Sequence, residues 1–215
     1  MLALDHIVIA GKNAEEASEN YHKRMAIKAI KGGEHENWGT YNYLAYFSNE
    51  SYIEWLGIQD YDKASESDNP LIKHLVYRLD QNKPGPFQFA LRTNQMDEYW
   101  KHFQANNIPF DGPFSGERLR PDGTLLTWRM LFPKYHVEDE MLPFLIEWGN
   151  SSNAPTTQGL TNPQAIMNIH YSGVNKATFM DIYQLKNRKS LSNQFLLRNS
   201  KISFKESGDL SFELV

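Results

Sequence analysis

Several side chains stand where they could do chemistry. His6, behind Asp5, lies in the apolar run Leu4 to Ala10, while Glu54 and Glu147 each occupy the middle of an Ile-Glu-Trp triplet inside an apolar run. A carboxylate set among apolar neighbours in a buried strand is costly unless it is paired or bound to a cation, so both glutamates are expected to line a cavity or to meet an arginine. Arg118 and Arg120 are two residues apart, which puts them on one face of a strand, and a guanidinium fork suits a carboxylate or phosphate on a ligand. His35 closes a Gly-Gly-Glu-His entry to a strand and is a pocket candidate. Trp128 belongs to an aromatic set with Trp38, Tyr41, Tyr43, Tyr46, Trp55 and Trp148, which fills a core or lines an apolar cavity. His22, His74, His102 and His136 fall on polar helix faces or in a charged loop and are assigned no role.

The elements that must position these groups follow from periodicity. Leu4 to Ala10 reads as a strand, and Asn13 caps a helix with Ala14, Ala17, Tyr21 and Met25 at helical spacing. Gly32 and Gly33 break that pattern. Two strand-like runs follow, Trp38 to Phe47 and Tyr52 to Ile58, joined by a Ser48-Asn49-Glu50 turn. Asn69-Pro70 opens a connector helix with Leu71, Leu75 and Leu79 on one face, and Gln81 to Gly85 is a linker. The first pattern then restarts as the strand PFQFALRT and a helix with Met96, Tyr99, Trp100 and Phe103. Apolar runs at Leu125 to Phe132 and Pro143 to Trp148 complete it.

Shifting the chain by 82 residues lays His6 on Gln88 and Asn13-Ala14-Glu15 on Gln95-Met96-Asp97. The closing strands of both copies carry Ile-Glu-Trp. This self-similarity predicts two modules, 1–60 and 84–150, joined by a connector at 61–83. Residues 151–215 read as a third, shorter copy after a loop rich in Ser, Asn, Pro and Thr, with Phe212-Glu213-Leu214 echoing Ile53-Glu54-Trp55. The fold class is α+β.

Composition narrows the function classes. With 215 residues, no cysteine and a formal charge of −4, the chain has no disulfides, thiolate nucleophiles or zinc fingers, and no basic stripe for a nucleic-acid partner. The first residues carry no basic leader and no apolar run is long enough to span a membrane, so a soluble cytoplasmic protein without a membrane partner is expected. No Gly-rich nucleotide fingerprint or nucleophile elbow is present.

GGEHENWGTYNYL followed by SYIEWL, then FALRT, RPDGTLLTW and PFLIEW, resembles the glyoxalase-like domain family of bacterial proteins in the vicinal oxygen chelate superfamily. The resemblance covers roughly residues 4 to 150. It implies paired βαβββ modules forming an incompletely closed eight-stranded barrel, with the C-terminal unit as an extension. It also implies a metal set at His6, Glu54, Gln88 and Glu147, a mixed nitrogen and oxygen set suited to Zn, Ni, Co, Mn or Fe(II). Such a site supports a metal-dependent lyase or isomerase acting on a small oxygenated metabolite, with Glu54 or Glu147 as base and His35, Arg118, Arg120 and Trp128 contacting substrate. A glutamine at position 88 disfavours ring-cleaving dioxygenase chemistry, which needs a second histidine, unless His35 or His170 substitutes. The rival expectation is a non-catalytic ligand-binding module without metal. A homodimer, with the C-terminal unit paired across a two-fold axis, is a third expectation.

Overall fold

The computed structural model describes residues 1–119, 123–138, 141–149, 153–155, 159–185 and 193–215. Along the chain run β1 (Ala3–Ala10), α1 (Ala14–Met25), β2 (Ile30–His35), a 3-10 turn (Glu36–Trp38), β3 (Thr40–Phe47), β4 (Tyr52–Ile58), α2 (Tyr61–Ser65), α3 (Pro70–Asp80) and β5 (Gly85–Arg92). Then come α4 (Met96–Ala105), β6 (Phe110–Leu119), β7 (Leu125–Pro133), β8 (Phe144–Trp148), β9 (Thr161–Asn162), β10 (Ile166–Tyr171), α5 (Lys176–Ile182), β11 (Gln194–Leu196), β12 (Lys201–Phe204) and β13 (Ser211–Leu214). The class is α+β. Strands β1 and β5, and the first residues of α1 and α4, are each separated by 82 residues, as the internal repeat requires.

The chain divides into two compact units, one of Met1–Asp5, Ala90–Asn153 and Ile166–Val215, the other of His6–Phe89 and Ala154–Ala165. In the second of these the strand order is β2-β3-β4-β1, with β1 parallel to β4 and the other pairs antiparallel. The parallel pair needs a crossover, and α1 supplies it. Asn13 accepts from the Glu16 amide at 3.2 Å, a cap worth about 1 kcal/mol. Tyr21 packs edge-on against Trp55 with ring centroids 5.3 Å apart, so α1 covers the face that carries Ile7, Ile9 and Trp55. The opposite face of β1 and β4 therefore carries His6, Val8, Tyr52 and Glu54.

Where sequence periodicity saw only a glycine break, the structure has β2 with a bulge at Gly32. A Cβ there would fall 2.2 Å from Asn42 Oδ1 and 2.8 Å from Leu44, so the bare backbone makes room for both side chains.

In the other unit β5, through Ala90–Arg92, begins the order β5-β8-β7-β6. β6 passes through Gly112 and Pro113 with a register shift between Asp111 and Phe114, which is why proline and glycine there hide a ten-residue strand. The C-terminal segment forms a separate four-stranded sheet, β11-β12-β10-β13. It keeps the strand-helix-hairpin order of a module, with β10 parallel to β12, but β13 lies antiparallel along the other side of β10. The β11–β12 turn reaches the start of β1: Leu4 donates to Asn199 Oδ1 at 2.8 Å, and Asn199 Nδ2 donates to the Leu4 carbonyl at 2.9 Å. Among the described residues no helix is long and apolar enough to cross a membrane.

Candidate functional site

The face of β1, β3 and β4 turned away from α1 collects the polar groups of its unit. Registers β1 to β4 and β3 to β4 set His6 beside Tyr52, and Glu54 between Val8 and Leu44. Period-2 alternation then brings Thr40 and Asn42 of β3 onto the same face. All are buried: His6 is 3 % exposed, Glu54 8 % and Asn42 3 %. Asn42 Nδ2 donates to Glu54 Oε1 at 2.6 Å, and His6 Nε2 lies 3.5 Å from Glu54 Oε2. The His6 ring stacks on Tyr52, with centroids 4.5 Å apart and planes at 20°. Leu44, Tyr46 and Tyr52 form a buried apolar cluster with Ile30 packed against it.

The two oxygens of Glu54 are thus differentiated. One is tied to an amide donor, and the other faces an imidazole nitrogen, the geometry of a carboxylate-imidazole pair able to exchange a proton with a third group. Asn42 Oδ1 is buried with no hydrogen-bond partner among the described residues. At the margin of the same face, His35 Nδ1 is 3.0 Å from Thr40 Oγ1, which ties the pocket candidate His35 to a fully buried hydroxyl.

Glu147 takes a different place. In β8 it registers with Arg129 of β7, while its neighbour Ile146 registers with Arg92, so Glu147 points to the α4 side of its sheet. There Glu147 Oε1 accepts from the Met96 amide at 3.1 Å, and Arg129 pairs with Glu147 through Nη2 and with Asp97 at 2.8 Å. These two hydrogen bonds, first to Glu147 and then to Asp97, raise the Arg129 pKa. Gln95 does not cap α4 with its own side chain, and Glu147 meets that need. Gln88 Oε1 accepts from the Phe89 amide at 2.9 Å.

Of the four ligands implied by resemblance, His6 and Glu54 lie side by side within one unit. Among the described residues no three or more His, Asp and Glu side chains are grouped to hold a metal ion. The His6–Glu54 pair by itself offers one imidazole nitrogen and one carboxylate, short of the three protein ligands of a catalytic zinc site.

The inner face of the second module has another character. Trp128 and Trp148 are register partners with ring centroids 5.5 Å apart, and Phe132 stacks on Phe144 at 4.9 Å. Trp148 Nε1 donates to Asp5 Oδ2 at 2.9 Å, and Arg92 lies 3.7 Å from the same oxygen, which satisfies the buried Asp5 carboxylate. Arg118 donates to Asn153 Oδ1 at 3.0 Å. Arg120 lies outside the described residues. In the C-terminal sheet His170 Nε2 is 2.6 Å from Glu213 Oε1, and that contact, with Asn168, holds the Glu213 carboxyl below the usual range. His74, read from sequence as surface, is 4 % exposed and edge-on to Phe87 at 4.9 Å.

Asn42, Thr40 and Tyr52 escaped the sequence reading. The signal for the first two was there: Thr and Asn two apart, on the in-facing positions of a strand otherwise aromatic and aliphatic, are costly unless they bond to something.

Comparison with solved structures shows the same fold. A hypothetical protein from Staphylococcus aureus superposes with a TM-score of 0.76 at 20 % identity, covering 96 % of this chain and 87 % of that one. Methylmalonyl-CoA epimerase from Streptomyces coelicolor, in complex with 2-nitronate-propionyl-CoA, gives a TM-score of 0.50 at 19 % identity, covering 72 % of this chain and all of that one. Among curated proteins, no sequence matches this chain. Residues 4–184 match the family described as glyoxalase-like domain, which is most of the chain. With its modular repeat and the C-terminal unit added, the chain belongs to the glyoxalase-like domain family.

Proposed function

We propose that the chain acts on a small oxygenated metabolite by proton transfer next to a carbonyl, in an isomerase- or lyase-type reaction centred on Glu54 and His6. The observation that carries this reading is the buried pair itself, with Glu54 Oε1 tied to Asn42 and Oε2 facing His6 Nε2 at 3.5 Å. Glu54 Oε2 takes a proton from the carbon beside the carbonyl, and the electron pair moves onto the carbonyl oxygen. The N–H of His6 Nε2 donates a hydrogen bond to that oxygen. Reprotonation by solvent on the other face, or by Glu54 at the neighbouring carbon, gives the isomer; in the lyase branch the enolate pair forms the C=C bond as the β-substituent leaves with its bonding electrons and takes the proton from Glu54. No step uses Glu147, whose contacts are those of a helix cap, and none uses a metal.

The experiment is solvent-deuterium incorporation, followed by proton NMR, over a panel of 2-oxoaldehydes, 2-hydroxy acids and methylmalonyl-CoA. The last is included because a neighbour of this fold is its epimerase. Exchange on one panel member, reduced on the order of 100-fold in Glu54→Gln, supports the reading. Exchange unchanged by that substitution overturns it. Elemental analysis of untagged protein separates the metal-dependent variant: about one divalent ion per chain, lost in His6→Ala, would reinstate a metal at this pair. The second reading, a non-catalytic ligand-binding module, is favoured by the aromatic face around Trp128 and Trp148, and predicts ligand binding without exchange.

A further inference from the structure

We propose that Trp128 and Arg118 form a subsite for the carboxylate of a planar apolar acid, built wholly within the second module. This deepens the small-molecule reading and rests on it. Gly116 is the register partner of Trp128, and a Cβ on Gly116 would fall 2.4 to 2.6 Å from Cε2, Nε1 and Cζ2 of the indole. The indole therefore lies flat over a glycine that cannot be replaced without displacing it. Its Nε1–H has no hydrogen-bond partner among the described residues.

Arg118 is the next residue of β6 on that same face, registered with Leu126, about 7 Å along the strand from Gly116. Among the described residues its guanidinium forms no ion pair, and its bond is to the neutral side-chain oxygen of Asn153 at 3.0 Å. The other donors of the fork stay available on a half-buried side chain. Trp148, tilted at 56° to Trp128, continues the wall, and its own Nε1 is already spent on Asp5. One indole N–H and one guanidinium without an ion pair among the described residues, beside two half-buried indoles, call for an occupant with an apolar, flat body and a single anionic end. A neutral apolar ligand leaves the cation unmatched, and a polyphosphate finds only one among the described residues. Arg92 does not compete, because Asp5 balances it.

The test is calorimetric titration of the full chain with 2-naphthoate and with its neutral counterpart 2-naphthamide. The naphthoate is expected to bind at least tenfold more tightly than the amide. Arg118→Gln removes that preference, and Gly116→Ala weakens both by lifting the indole. Trp128→Phe, which keeps a ring and loses the N–H, weakens the naphthoate more than the amide. Equal binding of the two probes to the wild-type protein, binding indifferent to Arg118→Gln, or no saturable heat with either probe overturns the proposal. These outcomes are independent of the exchange assay on Glu54→Gln, so the subsite and the proton-transfer reading fail separately.

Discussion

Glu147 accepts the first amide of α4, from Met96 at 3.1 Å, while in the first module the corresponding amide, from Ala14, donates to Tyr41 Oη at 3.1 Å. In both modules a side chain from the sheet finishes the helix, but only the second spends a carboxylate on it. That exchange assigns Glu147 to stability. Glu147→Gln keeps an acceptor for Met96 and loses the charge facing Arg129, and with both side chains partly exposed the cost is about 1 kcal/mol. Urea unfolding is expected to show this loss with turnover unchanged. Lost turnover at unchanged stability would contradict the assignment.

Gly32→Ala should be costlier than an ordinary strand substitution. The new methyl meets Asn42 Oδ1 and Leu44 in a buried layer, so about 1 to 3 kcal/mol of stability is expected to go. Because Asn42 carries the bond to Glu54 Oε1, deuterium exchange should fall along with the melting temperature.

His74 gives the protein an acid-side weakness. Burial, with a smaller contribution from Arg78, lowers its pKa from 6.5 to about 4, so the native state keeps it neutral where the unfolded chain protonates it. Above pH 6.5 neither state binds the proton and the group has no effect on stability. Between 6.5 and 4 stability falls as pH falls, by about 3 kcal/mol in all, and it levels off below. His74→Leu is expected to flatten that slope in denaturant titrations at pH 7, 5.5 and 4.5. An unchanged slope would place the acid sensitivity elsewhere.

Asn199 is expected to matter more than its position in a turn suggests. Its amide bonds both backbone groups of Leu4 as a neighbouring strand would, two residues ahead of His6. Asn199→Ala leaves two strand groups without that partner, and a loss of about 2 kcal/mol is expected, with faster hydrogen exchange at the Leu4 amide. If Leu4 exchanges as slowly as before, the contact does not hold the strand.

Much of the frame was legible because it depends on period. The 82-residue shift, the Asn13 cap and the helix through Met96, Tyr99 and Phe103 all rest on local spacing, and the strands and helices follow it. The burial of His6 and Glu54 within apolar strands was legible for the same reason. What sequence did not show is register. Ile53-Glu54-Trp55 and Ile146-Glu147-Trp148 are the same triplet, yet Glu54 registers with Val8 and Glu147 with Arg129, and each faces the other way relative to its own helix. A strand displaced by one residue exchanges its faces, and no triplet carries that information. The bulge at Gly32 and the strand through Pro113 were hidden because glycine and proline read as breaks whether or not a ladder continues past them.

Ala90 stands in β5 where Val8 stands in β1, and β8 sets Phe144 beside it where β4 sets Glu54 beside Val8. The two halves therefore answer the same register position with a carboxylate and a phenyl ring. If both descend from one duplicated segment, at least one of these positions has changed since the copies parted, and ionisable chemistry was kept on one side only. The halves are no longer interchangeable parts. A chain made of two first modules would bury a second acid, and a chain made of two second modules would have none at that position.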